Sequence, residues 1–150
     1  MVWPRASGVL AGLWAGVLLC LGAMAAPAAF ATLVTADAAR VAGRLFAQEA
    51  YLSLLVAVLL IVAERAGRAQ GAGSVFGVNL QLLLGTLFCT VAGYFAVQPM
   101  MAAARAGQGP VSFAVLHGVS AALFCLKGLL VLVLAWRLSQ PGGLRTTATS

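Results

Sequence analysis

The residues best suited to chemistry in this chain share one face of a long apolar stretch near its C-terminal end. His117, Ser120, Phe124 and Lys127 follow one another at intervals of three, four and three residues. At 100° per helical residue, this spacing confines them to an arc of about 80° on a helix. An ionisable group in hydrocarbon costs ~2.5–3.5 kcal/mol on insertion scales, so such residues mark a candidate functional site.

Polar residues of two other apolar stretches could meet this face. Glu49 lies near the start of the second stretch, and Tyr94 and Gln98 lie in the third. In antiparallel helices, Glu49, Gln98 and His117 would lie at similar depth, with Tyr94 and Ser120 about one turn deeper. We therefore predict a polar cluster near the outer surface of the membrane, with Glu49 and His117 as its ion pair. Alternatively, the cluster only ties helix ends together.

Lys127 lies deepest of these residues, about nine or ten residues from either end of its stretch. Snorkelling of a four-carbon stem does not cover that distance to water. With no acid expected at its depth, its charge must be neutralised, solvated by Thr86 and Ser120, or directed at a water-filled cavity or an anionic ligand. A buried lysine can act as a general base or form a Schiff base, but a lone lysine does not indicate an enzyme.

Four apolar stretches must position these residues, roughly 9–30, 45–63, 78–97 and 113–136. Each approaches or exceeds the ~20 residues that a helix needs to cross a ~30 Å hydrocarbon core. Only 8% of residues are charged and 63% are hydrophobic, unlike a soluble domain. The short loops cannot bury a core of their own. We predict a single all-α domain over residues 1–150, an integral membrane antiparallel four-helix bundle.

The net charge of +6 comes from single basic residues at the ends of these stretches, which favours a topological signal over nucleic-acid binding. With a cytoplasmic N-terminus, the arginines divide five inside to three outside: Arg5, Arg65, Arg68, Arg137 and Arg145, against Arg40, Arg44 and Arg105. We predict that both termini are cytoplasmic. The preference for arginine over lysine, with abundant Ala and Gly, is typical of a GC-rich bacterium and predicts an inner-membrane protein.

The first stretch could instead be a cleaved signal peptide, because Arg5 precedes it and residues 23–31 offer A-x-A-like sites. Its length of about 22 residues exceeds the usual 7 to 15 of the hydrophobic region of a signal peptide, which favours a retained helix. Gly8, Gly12 and Gly16 form a ridge along it that allows close helix packing, within the chain or in a homo-oligomer. Pro27 is expected to bend the last turn before Phe30.

Metal and cofactor chemistry has less support in the sequence. Cys20, Cys89 and Cys125 fall near the middle of three stretches, where thiolates and Met24 could bind Cu(I). Cysteine is equally a small buried apolar residue. A single histidine cannot supply two axial imidazoles to haem in one monomer. We predict no metal or cofactor, with haem or copper as remote alternatives, and the chain lacks catalytic triads and phosphate-binding glycine loops.

Three segments resemble a known family: residues 25–30, residues 43–46 and residues 116–120. In order and spacing they are similar to four-helix membrane proteins like transmembrane protein 205, the domain of unknown function 4149. The matching positions are Pro27, Phe30, Phe46, His117 and Ser120. The resemblance implies a four-helix bundle with no agreed activity and no catalytic residues to carry over. At the level of the fold alone, the chain is also similar to small membrane proteins of the copper-resistance D type, some of which handle metal or haem. The single histidine of this chain argues against such a site.

Three classes of function follow. The first is a structural or accessory membrane protein that contacts the lipid bilayer and forms homo-oligomers through the glycine ridge. The second is a protein that handles a small solute or a metal ion at an outward-facing site containing Glu49, His117 and Lys127. The third is a membrane enzyme or haem protein. The first class is preferred, because no motif in the sequence names a reaction.

Overall fold

The computed structural model describes residues 3–69 and 77–140. In chain order it contains six α-helices: α1 (Trp3–Cys20), α2 (Ala26–Thr32), α3 (Thr35–Ala69), α4 (Val78–Thr90), α5 (Gln98–Arg105) and α6 (Phe113–Ser139). Two π-helical segments, Leu21–Ala25 and Val91–Val97, join α1 to α2 and α4 to α5. The side chains of three arginines used in the topology prediction, Arg5, Arg68 and Arg145, fall outside the described part.

These elements form four membrane-length spans. Their bounds are Ala6–Thr32, Thr35–Gly67, Val78–Arg105 and Phe113–Ser139, and each is long and apolar enough to cross a membrane. The spans pack against one another, and no strand occurs among the described residues. The predicted all-α bundle of four membrane-type helices is confirmed.

The second span begins well before the predicted start at Leu45. The chain is extended at Leu33, and α3 starts at Thr35. Asp37 lies in the first turn, where a carboxylate interacts favourably with the positive end of the helix dipole. Because α3 includes the whole polar segment 35–44, Glu49 lies near the middle of its span instead of near one end.

Each π-helical segment ends two residues before a proline. The backbone N–H of Ala26 donates to the carbonyl of Leu21, five residues earlier, just ahead of Pro27. Val91–Val97 likewise ends two residues before Pro99. Proline lacks an N–H, and its ring clashes with the carbonyl four residues back, so a wider turn relieves both problems. The local disturbance expected at Pro27 therefore takes the form of a π turn on its N-terminal side.

The core is formed by one narrow stripe of each span. In α1 the buried stripe is Ala11, Trp14, Ala15 and Leu18, at the spacing of one helix face. It packs into a cluster with buried residues of the other spans, namely Val56, Ala57, Leu60, Leu83, Val131 and Leu134. Many large apolar side chains point outward, which suits a protein surrounded by lipid.

The predicted glycine ridge is divided between two environments. At Gly8 a Cβ atom would lie 3.0 Å from the backbone oxygen of Leu138, so the start of α1 closely approaches the end of α6. Gly12 and Gly16 are exposed, with no atom within 4 Å of an added Cβ. Only Gly8 therefore makes a close helix contact within the chain, because the other two glycines turn away from the bundle.

Candidate functional site

The most unusual contact in the structure is an ion pair between Glu49 of α3 and Lys127 of α6. The Lys127 Nζ lies 2.7 Å from Glu49 Oε2 and 2.9 Å from Oε1, so both carboxylate oxygens accept from one ammonium group. Each residue is only 4% exposed. Lys127 lies at the middle of α6, so the pair sits deep within the bundle.

Two further side chains extend this contact to the first span. Ser53, one turn after Glu49 on α3, donates its hydroxyl to Glu49 Oε1. Trp14 of α1 donates its indole N–H to Ser53 Oγ at 2.9 Å. We call Trp14, Glu49, Ser53 and Lys127 the buried ion-pair network. It joins three of the four spans through side-chain hydrogen bonds, and all its members are at most 4% exposed.

Aromatic rings cover one side of the network. The Phe124 ring lies one turn from Lys127, with its centroid 5.3 Å from Nζ, within reach of a cation–π interaction. Phe46 meets Phe124 edge to face at 5.2 Å. Gly22, in the first π turn, leaves room for this ring, since an added Cβ would lie 3.0 Å from Phe124 Cε1. The first span thus accommodates an aromatic cover on the ion pair.

Of the alternatives left open for Lys127, the structure shows neutralisation and not solvation by Thr86. Thr86 is fully buried, but its hydroxyl donates to the Leu83 carbonyl at 2.7 Å. Thr90 likewise donates to the Thr86 carbonyl at 2.8 Å. Serine and threonine hydroxyls in helices commonly donate to the backbone carbonyl three or four residues earlier. Lys127 is neutralised by an acid at its own depth, which the sequence analysis did not foresee.

The predicted ion pair between Glu49 and His117 is also wrong. The His117 side chain is exposed and its ring stacks on Phe113, with centroids 5.8 Å apart. The guanidinium of Arg105 lies 4.6 Å from the Phe113 centroid. Because α3 starts at Thr35, Glu49 lies deeper than its predicted depth, whereas His117 stays one turn into α6.

Of the five residues of the predicted polar cluster and the deeper Lys127, all candidate site residues, the structure brings only Glu49 and Lys127 together. Tyr94 packs its ring against Tyr51 and Phe95, with centroids 6.0 and 5.0 Å away. Gln98 and Ser120 are half-buried. Within the described ranges, no hydrogen bond connects Tyr94, Gln98, His117 or Ser120 to the buried ion-pair network.

Trp14 is the member of the network that the sequence analysis did not identify. Tryptophan is usually enriched at membrane surfaces, where its N–H meets water. Trp14 instead lies well inside its span and is 2% exposed. A buried indole N–H usually has a hydrogen-bond partner, so this position was a usable signal for a polar group on a neighbouring helix.

The residues considered for metal binding do not converge. Cys89 is buried, whereas Cys20 and Cys125 are exposed. Among the residues that the structure describes, no group of three His, Cys, Asp or Glu side chains is placed to hold a metal ion. The exposed Met24 adds no ligand to such a group.

A second polar network lies at the end of the bundle that contains the start of α1. Asn79 at the start of α4 donates to Glu64 Oε1 at 2.8 Å. Arg137 near the end of α6 donates to Asn79 Oδ1 at 3.0 Å. We call Glu64, Asn79 and Arg137 the terminal network. It also joins three helices, but Arg137 is exposed and Glu64 and Asn79 are only half-buried.

Fold and site together define a helical membrane protein whose spans are joined by a buried charge pair. Residues 9–110 match the family model described as Domain of unknown function (DUF4149), and the chain belongs to this family. The match covers more than half of the chain and includes Trp14, Glu49 and Ser53, whereas Lys127 lies beyond it. Neither the curated proteins nor the solved structures provide a match. The likeness to transmembrane protein 205 stays a prediction.

Proposed function

We propose that this chain is a non-enzymatic accessory protein of the bacterial inner membrane, in which the buried ion-pair network is a structural connection between spans. The observation that supports this proposal is that the network is complete within the chain. Both oxygens of Glu49 accept from Lys127, one also accepts from Ser53, and Trp14 donates to that serine. A ligand would have to displace one of these partners.

The network suits a role in fixing the register and rotation of the spans relative to one another. A Lys or Glu left alone in hydrocarbon is costly, so sliding or rotating one span against another would expose an unpaired charge. Every fully buried side-chain nitrogen and oxygen of the described residues has a hydrogen-bond partner. Buried ionic groups can specify one packing arrangement even where they add little net stability. We therefore propose that the ion pair selects one packing arrangement of the four spans.

The distribution of arginines supports a cytoplasmic location for both termini. The terminal network places Arg65 and Arg137 at the same end of the bundle as the start of α1. Arg40, Arg44 and Arg105 belong to the opposite end. These residues number two against three, and Arg5, Arg68 and Arg145 would bring the first end to five against three. A reporter fused after Ser150 should be active in the cytoplasm, and periplasmic activity would contradict this orientation.

Handling of a small solute or a proton is the second candidate, and the same ion pair favours it. Ionisable residues inside membrane spans often mark the path of a proton or solute. In this alternative, Glu49 and Lys127 would separate during function, and their mutual pairing would be one state of a cycle. The two candidates differ in what happens when the pair is replaced by apolar residues of similar size.

The deciding experiment uses the double variant Glu49→Leu/Lys127→Met in full-length protein. A structural pair predicts a folded variant with near wild-type stability in detergent, because a buried ion pair can be replaced by well-packed apolar residues. In liposomes with an internal pH dye and an imposed membrane potential, wild type, double variant and protein-free vesicles should leak protons equally. Proton flux in wild type that disappears in the folded double variant would overturn the structural assignment. Arg65→Gln, an exposed change, is the matched control.

A further inference from the structure

An open groove lies at the junction between the first and second spans, at the end of the bundle opposite the start of α1. Its volume is about 540 Å³, and it is lined by Leu33, Asp37, Arg40, Val41 and Arg44. The two arginines are four residues apart on α3, which places them on the same helix face. Leu33 and Val41 are 42% and 43% exposed, so the groove combines basic groups with accessible apolar surface.

The charges in the groove are unbalanced. Asp37 forms an ion pair with Arg40, one turn away on α3. Arg44 has no acidic partner among the residues that the structure describes. Two guanidinium groups therefore face one carboxylate, and the remaining positive charge is free for an anion. The Arg40 side chain is 80% exposed, so its remaining donors are also accessible.

The depth of these arginines indicates where that anion is. Glu49, which marks the middle of the bundle, lies five residues after Arg44 and nine after Arg40 on the same helix. At 1.5 Å per residue, the two Cα atoms are about 7.5 and 13.5 Å from the Glu49 level, within the ~15 Å half-thickness of the hydrocarbon core. Their side chains must extend to the level of the headgroups to find a counter-charge.

We propose that this groove binds the headgroup phosphate of an anionic phospholipid such as phosphatidylglycerol. Arg44 and Arg40 would donate to the phosphate oxygens, since guanidinium groups match phosphate with two parallel hydrogen bonds. Leu33 and Val41 would contact the glycerol backbone and the start of an acyl chain. Four of the five lining residues lie on α3, and basic residues at the end of a membrane helix attract anionic headgroups in this way. The site requires neither the proposed function nor a particular orientation of the termini.

The test is native mass spectrometry of the full-length protein in mild detergent, with phosphatidylglycerol or phosphatidylcholine added at equal concentrations. Wild type should retain one phosphatidylglycerol more strongly than phosphatidylcholine. Removing a charge-assisted hydrogen bond should weaken lipid binding about tenfold or more in Arg40→Gln/Arg44→Gln. Arg65→Gln, at the other end of the bundle, is the matched control and should bind as wild type does. Asp37→Asn should bind more tightly, because it removes a repulsive carboxylate.

Two results would overturn the proposal. One is equal retention of phosphatidylglycerol by wild type and by an Arg40→Gln/Arg44→Gln variant with normal circular dichroism and elution volume. The other is protection from thermal unfolding by inorganic phosphate that equals that of the lipid at the same concentration, which would assign the groove to free phosphate. If the double variant does not fold, Arg44→Gln and Arg44→Lys replace it, and the proposal requires that lysine retain more lipid than glutamine.

Discussion

The buried ion-pair network and the terminal network use the same kinds of contact in different surroundings. Each joins three helices through a glutamate, a basic residue and a bridging polar side chain, and in the buried network Trp14 makes the link to the third helix. Glu49 and Lys127 are each 4% exposed, whereas Arg137 is exposed. In the terminal network, water can replace any partner that is lost. In the buried network, nothing but another protein group can do so.

The comparison teaches that the cost of breaking a polar contact depends on what is left behind. Removing Arg137 leaves Glu64 and Asn79 within reach of water or headgroups. Removing Lys127 leaves a carboxylate inside the bundle with only the Ser53 hydroxyl as a donor. The free energy of unfolding should therefore respond very differently to similar substitutions in the two networks.

The largest effect is expected for Lys127→Met. It leaves the Glu49 carboxylate buried without its counter-charge, which should lower the free energy of unfolding by about 3–5 kcal/mol. The measurement is unfolding in mixed detergent micelles, followed by circular dichroism. Adding Glu49→Leu to Lys127→Met should restore most of the loss. A double variant as unstable as the single one would show that the ion pair itself, and not the orphaned charge, determines stability.

Close packing beside the terminal network should matter more than its hydrogen bonds. Gly8→Ala places a methyl group against the Leu138 carbonyl and should destabilise the protein by about 1–3 kcal/mol, the usual range for overpacking. Gly12→Ala meets no neighbouring atom and should be neutral or stabilising by up to about 1 kcal/mol, as expected for alanine in a helix. Equal melting temperatures for the two variants would contradict the close contact between α1 and α6.

Trp14→Phe should have an intermediate effect within the buried network. It removes the indole donor to Ser53 but keeps an aromatic ring in the core, so the expected loss is about 1 kcal/mol. Ser53 keeps its hydrogen bond to Glu49, which limits the damage. Detergent unfolding is compared with Trp136→Phe, an exposed tryptophan of α6, as the control. A loss as large as that of Lys127→Met would mean that Trp14 also holds the charge pair in place.

The smallest effect is expected for Arg137→Gln. An exposed contact of this kind contributes about 0–1 kcal/mol, and glutamine can still donate to Asn79. The free energy of unfolding should change within that range, and added salt should make wild type and variant more alike. A destabilisation approaching that of Lys127→Met would break the distinction between the two networks.

The sequence predicted the class of fold but not the partner of Lys127. The four apolar stretches define the spans through hydrophobicity, a signal strong enough to survive errors of several residues. The ion pair depends on register, where such errors matter. The polar residues Asp37, Arg40 and Arg44 were interpreted as a loop, which set the start of the helix at Leu45 and moved Glu49 away from the depth of Lys127. An acid in the first turn, Asp37, was the available signal for an earlier start.

Other features were only partly accessible from residue spacing. Regular intervals showed that Gly8, Gly12 and Gly16 share a ridge, but not that the neighbouring helix contacts it at one end only. The proline argument was applied to Pro27, although Pro99 offered the same signal for a second π-helical segment. The contacts of Glu49 with Lys127 and Ser53 could not be predicted from residue spacing, because the ion pair joins residues far apart in the chain.

The two π-helical segments also bear on how this chain can change length during evolution. A hydrogen bond that spans five residues encloses one residue more than an α-helical bond does. Deleting one residue from an ordinary helix rotates everything that follows by 100° and would move Lys127 or its partners off their face. At Leu21–Ala25 and Val91–Val97 the extra residue can be lost by conversion to an α-helical turn. We expect single-residue insertions and deletions among relatives to concentrate at these two segments.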